Sequence, residues 1–356
     1  MWTGFPLIVP TQNVKGLRMT YLVPVFGILA ALMFGESALA LQKADNAQSS
    51  SHANIDEKRI DVGGFQLNSV LLPAKKGATL PPIVFIHGAS TSLYDPMYAF
   101  REKLEGKATL LFVDRPGHGR SDIGPKANIL PDAQADAIAT LMKKRGIKKA
   151  IIVGHSFGGA ITAAFAVRHK EMVEGLVFLS PALYPWPGGI AWYYNAARFP
   201  VTGVLFSTLI APAAGAIAID GAVKSVFAPN PMPSDYISRT RAYQALRPVA
   251  FRHNAQEVGG LNGWAKAASP AFRTIKAPTV IIAGDVDEVV STEIHSRHLA
   301  RDISGAELIV VHNLGHKSDY VASDLAIAAM EKNAGKPRNL KAIAKTLETK
   351  IANDGQ

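Results

Sequence analysis

Gly154-His155-Ser156-Phe157-Gly158-Gly159 is the stretch on which the reading of this chain turns. It follows an apolar, β-branched run at 150–153 and precedes a helix-like stretch at 160–169. That context predicts a strand, a one-residue elbow and a helix. The serine at such an elbow sits in a strained backbone conformation, and the flanking glycines let strand and helix approach without a Cβ clash. The amide of Phe157 would then lie at the helix N-terminus, where unpaired N–H groups and the helix dipole favour negative charge. A chance glycine-rich turn would lack the strand and the helix at its two ends.

Working outward, short apolar runs at 83–87, 110–114, 150–154, 176–180, 280–284 and 308–312 alternate with longer helical stretches, one of them at 132–145. Strands of continuous apolar character fit burial on both faces, so the expected fold is α/β, with a mostly parallel sheet covered by helices. Gly63-Gly64, between 59–62 and 65–72, predicts a β-hairpin. About ninety residues, 182–271, separate two of the strands. This is far longer than an ordinary connection and predicts an inserted, mainly helical cap. The core is therefore expected at 55–181 and 272–335, with a basic helix or tail at 336–356.

Lys15 and Arg18 precede an apolar run at 21–35 that ends in Ser37-Ala38-Leu39-Ala40. These are the parts of an export signal cleaved after Ala40, with an uncleaved membrane anchor as the alternative. A polar linker follows at 41–54. The uncharged stretch at 199–219 has the length of a membrane span, but Pro200, Gly203, Pro212 and Gly215 favour cap helices over an apolar pocket. The net charge of +10 comes from scattered lysine pairs and a basic tail, with no stripe suited to nucleic acid. It leaves open a peripheral contact with anionic membranes, for which Leu340, Ile343, Leu347 and Ile351 would align on one face of a tail helix; a helix packed on the main domain is the simpler expectation. The absence of cysteine excludes disulfides and a thiolate nucleophile.

A serine hydroxyl is a weak nucleophile near neutral pH, so it needs a base beside it and fixed donors where charge develops on the carbonyl oxygen. The residues around the elbow resemble those of the α/β-hydrolase superfamily over roughly 56–332. Phe85-Ile86-His87-Gly88 is similar to the family's HG loop, which implies the Ala89 amide as the second oxyanion donor beside Phe157. Asp114-Arg115-Pro116-Gly117-His118-Gly119-Arg120-Ser121 resembles the loop that shapes the wall of the site. Gly284-Asp285-Val286-Asp287 resembles the segment carrying the orienting acid, which implies Asp287, with Asp285 as its competitor. Leu314-Gly315-His316 matches the terminal Gly-His, and the order Ser, Asp, His agrees with this fold.

The resemblance implies a cofactor-free serine hydrolase in which Ser156 attacks, His316 is the base and Asp287 orients it. His312 and His316 are four residues apart, but Asn313 and Gly315 indicate a loop and no metal motif accompanies them, so no metal is expected. Trp186, Trp192, Tyr193, Tyr194, Phe199 and Phe206 point to apolar acyl or alcohol groups, in esters or lactones of small to medium size. Carbon–carbon bond hydrolases and cofactor-free perhydrolases share this triad and remain alternatives, as does a non-catalytic binding module. Serine at the elbow disfavours relatives that use aspartate there.

Overall fold

The computed structural model describes residues 57–354, so the N-terminal apolar run and the linker through Asn54 lie outside the described residues. Strands β1 (Glu57–Asp61) and β2 (Gln66–Leu72) form the expected hairpin, closed by the Val62 N–H donating to the Phe65 carbonyl at 2.8 Å. The turn places Gly63 and Gly64 at φ 122° and 90°, where a side chain is disfavoured.

The remaining strands are β3 (Ile83–Ile86), β4 (Leu110–Val113), β5 (Ala150–His155), β6 (Val173–Leu179), β7 (Thr279–Gly284) and β8 (Glu307–Val311). They make one eight-stranded sheet of order β1-β2-β4-β3-β5-β6-β7-β8, in which every pairing from β4 to β8 is parallel. β6 begins earlier than its apolar run suggests. Val173 and Gly175 pair across a register shift with β5, while Glu174 between them is exposed and interrupts the apolar pattern.

Alternate strand residues feed opposite layers. Val84, Ile86, Leu111 and Ile152 pack under helices α1 (Pro131–Lys144) and α2 (Phe157–Arg168). Ile83, Phe85, Phe112 and Val153 pack on the other face, against Tyr94–Leu104 and two C-terminal helices. Between β6 and β7 the insertion contributes α3 (Trp192–Arg198), α4 (Thr202–Phe227, with one π-helical turn over Phe206–Ile210) and α5 (Pro248–Ala268). The C-terminal helices are α6 (Ser323–Asn333) and α7 (Leu340–Asp354). Leu340 and Ala344 of α7 are buried, and Ile343, Leu347 and Ile351 pack against the same core layer. The apolar face of the tail is thus turned to the protein's own core.

Two staples hold the insertion to the sheet. At its start, the His295 ring accepts the amides of Leu183 and Tyr184 at Nδ1, at 3.2 and 3.0 Å. On α5, Glu257 is fully buried and accepts from Arg115 at 2.9 Å, from Gln134 at 2.7 Å and from His118 at 2.7 Å. Burial raises the Glu257 carboxyl pKa, but Arg115 and His118 outweigh it and hold the group well below the usual range. A buried charge this closely paired is costly to break, because the partner left behind keeps its desolvation penalty.

Glu257→Gln is expected to destabilise the chain by about 3–5 kcal/mol in equilibrium denaturation, since it strands the buried Arg115 guanidinium. Burial also pushes His118 and His295 down to about 4, so the fold keeps both rings neutral where the unfolded chain would bind protons. The unfolded state therefore holds more protons between about pH 4 and 6.5, and stability falls as pH drops through that window. Each ring should contribute up to about 1.4 kcal/mol per pH unit in a denaturation series.

Candidate active site

Ser156 is the single residue between β5 and α2, and its backbone lies at φ 53°, ψ −118°. Its N–H donates to the Leu179 carbonyl at 3.0 Å, and its own carbonyl accepts the amides of Gly159 and Ala182 at 2.9 and 3.0 Å. A Cβ on Gly158 would come within 2.2 Å of the Ile86 carbonyl oxygen, so helix and neighbouring strand meet only because that side chain is missing. A positive φ at a non-glycine residue is tolerated only where its surroundings over-determine it, as these contacts do.

His316 stands in the loop after β8. Its Nδ1 and the Oδ2 of Asp287 are 2.8 Å apart, with the two side chains 3% and 1% exposed. The other carboxylate oxygen accepts the amides of Val289 and Val290, both at 2.9 Å. Burial alone would raise the Asp287 pKa; the adjacent imidazole and the two amides more than offset this and hold it below the ordinary carboxylate range. An ionised partner at Nδ1 assigns the ring proton to that nitrogen and leaves Nε2 as the basic side. Asp285, the competing acid, pairs instead with His312 at 2.7 Å, on a histidine that is 67% exposed. His312 and His316 therefore serve different carboxylates, one outside and one inside, and do not form a metal pair.

Ser156 and His316 open onto one cavity of about 300 Å³, bounded on one side by Gly88 and Ala89 and on the other by the insertion. No hydrogen bond joins the serine hydroxyl to His316 among the described residues. Such bonds are often loose in ligand-free sites and tighten when substrate binds. A second cavity, of about 320 Å³ beyond the Asp287 loop, touches neither Ser156 nor His316.

The peptide joining Gly88 and Ala89 is held from one side only. The Gly88 carbonyl accepts from His87 Nδ1 at 2.9 Å, from Arg115 Nη2 at 3.0 Å and from Thr91 Oγ1 at 3.2 Å. In a trans peptide the next N–H points the opposite way, so the Ala89 amide is turned from that cluster. His87 Nε2 accepts the Arg115 amide at 3.1 Å, which leaves the proton on Nδ1 to donate to Gly88. Burial, with Arg115 and His118 nearby, lowers the His87 pKa well below its usual value and keeps the ring in that neutral form. Neither the Ala89 amide nor the Phe157 amide, the first of α2, donates to another described residue. The loop is secured further by the Ser90 amide donating to Asn254 Oδ1 at 2.9 Å and by Tyr194 against the Ser90 hydroxyl at 3.0 Å.

Asp114 accepts the amides of Leu93 and Arg120 and the side chain of Asn68, a loop-shaping role away from the cavity. Behind His316, His155 donates Nε2–H to the His316 carbonyl at 3.0 Å. Burial, then Lys317 and His316, push the His155 pKa well below normal, so this ring braces the loop as a neutral group. Asp95, His155 and Asp319 bring donor atoms within 4.8 Å of one another. The Lys317 ammonium already bridges the two carboxylates, at 2.9 Å from each, and supplies the positive charge that such a cluster needs. Sequence reading missed Glu257, Asn254, Lys317 and the part played by Arg115, because their partners are distant along the chain. The Asp-Arg-Pro-Gly motif was the one available signal.

A family model described as alpha/beta hydrolase fold matches residues 81–319. The chain is 25% identical over 291 residues to 2-(acetamidomethylene)succinate hydrolase of Mesorhizobium japonicum, covering 77% of this chain and 93% of that protein. It is also 25% identical over 247 residues to 2-hydroxymuconate semialdehyde hydrolase of a Pseudomonas species, covering 66% and 80%. Among solved structures, the enol-lactonase of Burkholderia xenovorans superposes with a TM-score of 0.58 at 22% identity, over 78% of this chain and all of that one. With the family model spanning most of the described residues and the sheet order observed directly, the chain belongs to the alpha/beta hydrolase fold family.

Proposed function

We propose that the protein is a serine hydrolase acting on carboxylic esters or lactones of small to medium apolar groups through an acyl-enzyme. The observation that carries this is the buried Asp287–His316 pair at the cavity where the strained Ser156 also opens. His316 Nε2 takes the Ser156 proton as the oxygen attacks the substrate carbonyl. The amides of Ala89 and Phe157, neither of which donates to another described residue, receive the resulting oxyanion. His316 then passes its proton to the departing alcohol oxygen, leaving Ser156 acylated. Water, deprotonated by the same ring, attacks the acyl carbon; the bond to the Ser156 oxygen breaks, that oxygen takes the proton back from His316, and the acid is released.

The lining supports an uncharged substrate. Apolar insertion residues such as Phe206, Ile219 and Phe251 form most of the wall. The lining cation, Lys317, faces Asp95 and Asp319, so an anionic group finds no unopposed ammonium there. This distinguishes the proposal from the second reading, carbon–carbon bond hydrolysis, which the likeness to 2-hydroxymuconate semialdehyde hydrolase favours. We take the chain to be exported or N-terminally anchored, on the strength of the basic, apolar and Ala38-Leu39-Ala40 segments.

Ser156→Ala should abolish fluorophosphonate labelling of a protein that labels readily when unmodified. A p-nitrophenyl ester series should show turnover that rises from acetate to butyrate or octanoate and falls at palmitate; no turnover at any length would count against the ester proposal. Asp287→Asn is expected to lower kcat by about 10³–10⁴-fold by misdirecting the His316 tautomer. Asp285→Asn, which alters the exposed contacts to the His312 ring and the Asn313 amide and leaves the Asp287–His316 pair intact, should leave kcat unchanged.

A further inference from the structure

Helix α4 carries apolar residues on more than one face. Phe206, Ile210, Ala214, Ala218, Ala222 and Val226, at four-residue intervals, line the cavity that holds Ser156. Elsewhere on the same helix Val204, Leu205, Leu209 and Ile217 are exposed, Ile217 by 88%, and only 17% of the helix's most apolar stretch is buried. Trp192 (65% exposed), Phe199, Val201 and Val249 add large exposed apolar side chains on neighbouring parts of the insertion. Isolated exposed apolar residues are ordinary, but so many on one short segment mark a surface that meets an apolar partner.

We propose that this face of the insertion rests on an anionic lipid bilayer, with α4 lying in the interface and the cavity beneath it. Charge identifies the partner. Between 182 and 271 there are seven Lys and Arg (Arg198, Lys224, Arg239, Arg241, Arg247, Arg252, Lys266) against three acids (Asp220, Asp235, Glu257), a balance of +4. Arg252 lies beside the apolar face, donating to the Phe199 carbonyl at 3.2 Å. Anionic headgroups attract an insertion of this net charge while the apolar side chains enter the acyl boundary. A second copy of this chain would instead set two insertions of like charge against each other. A membrane-crossing path does not suit α4, because Asp220 and Lys224 lie near its end and one of its stripes is committed to the cavity wall. Combined with the hydrolase proposal, on which this consequence rests, an apolar substrate would pass from bilayer to Ser156 along one helix.

The chain has no cysteine, so a single introduced thiol reports one place only. Full-length Ile217→Cys, labelled with an environment-sensitive nitrobenzoxadiazole dye, is mixed with vesicles of phosphatidylcholine containing phosphatidylglycerol, or of phosphatidylcholine alone. Ile217 does not line the cavity, and Lys149→Cys, on an exposed loop before β5, serves as the control. The expected result is a blue shift at 217 with phosphatidylglycerol vesicles, quenched by doxyl-labelled lipid and weakened by salt, with no shift at 149. An unchanged spectrum at 217, an equal shift at both sites, or a vesicle-independent shift that grows with protein concentration would overturn the proposal, the last in favour of self-association. Fluorophosphonate labelling of the same samples reports the hydrolase proposal separately, so either can fail alone.

Discussion

The backbone at Ser156 bends sharply between a buried strand and a buried helix, and the rest of the site is arranged around that bend. A side chain at φ 53° has no local preference to keep it there. It is kept by the sheet bond to Leu179, by two amides on its carbonyl, and by a helix that approaches β3 more closely than any Cβ at Gly158 would allow. The bend leaves the hydroxyl at the cavity and the Phe157 amide free at the head of α2. In the proposed reaction, one constraint on the main chain therefore sets both a nucleophile and an anion donor.

The proposed second donor, the Ala89 amide, depends on a longer chain of contacts. Glu257 on the insertion holds Arg115, Arg115 holds the Gly88 carbonyl, and that carbonyl fixes which way the Ala89 amide faces. Tyr194 and Asn254, also from the insertion, grip the following residue, Ser90. The element that roofs the cavity is thus also the element that orients part of its floor. In the proposed hydrolase, a change in how the insertion sits would alter substrate access and the direction of the Ala89 amide together, through buried polar groups.

Much of this was legible in the sequence, for definable reasons. Buried parallel strands are written as uninterrupted apolar runs, and the elbow is written as glycines around a serine, so both survive as local patterns. The Gly284-Asp285-Val286-Asp287 spacing already implied Asp287 over Asp285, though only by resemblance. Both follow β7, and what separates them is that one faces an exposed histidine while the other is sealed against a buried one. Arg115 and Glu257 are 142 residues apart, so no window of sequence contains their pairing. The start of β6 was hidden by the exposed Glu174, and the tail's apolar stripe could not reveal that it packs on the protein's own core.

The claim on which the whole account stands is that Ser156, His316, Ala89 and Phe157 meet at one reacting carbonyl. A crystal structure of the protein inactivated by an alkyl phosphonate tests it directly. The account predicts phosphorus bonded to the Ser156 oxygen, the phosphonyl oxygen within about 3 Å of both the Ala89 and Phe157 nitrogens, and His316 Nε2 within hydrogen-bond reach of the adduct. A phosphonate attached elsewhere, or a phosphonyl oxygen turned away from both amides, would contradict it.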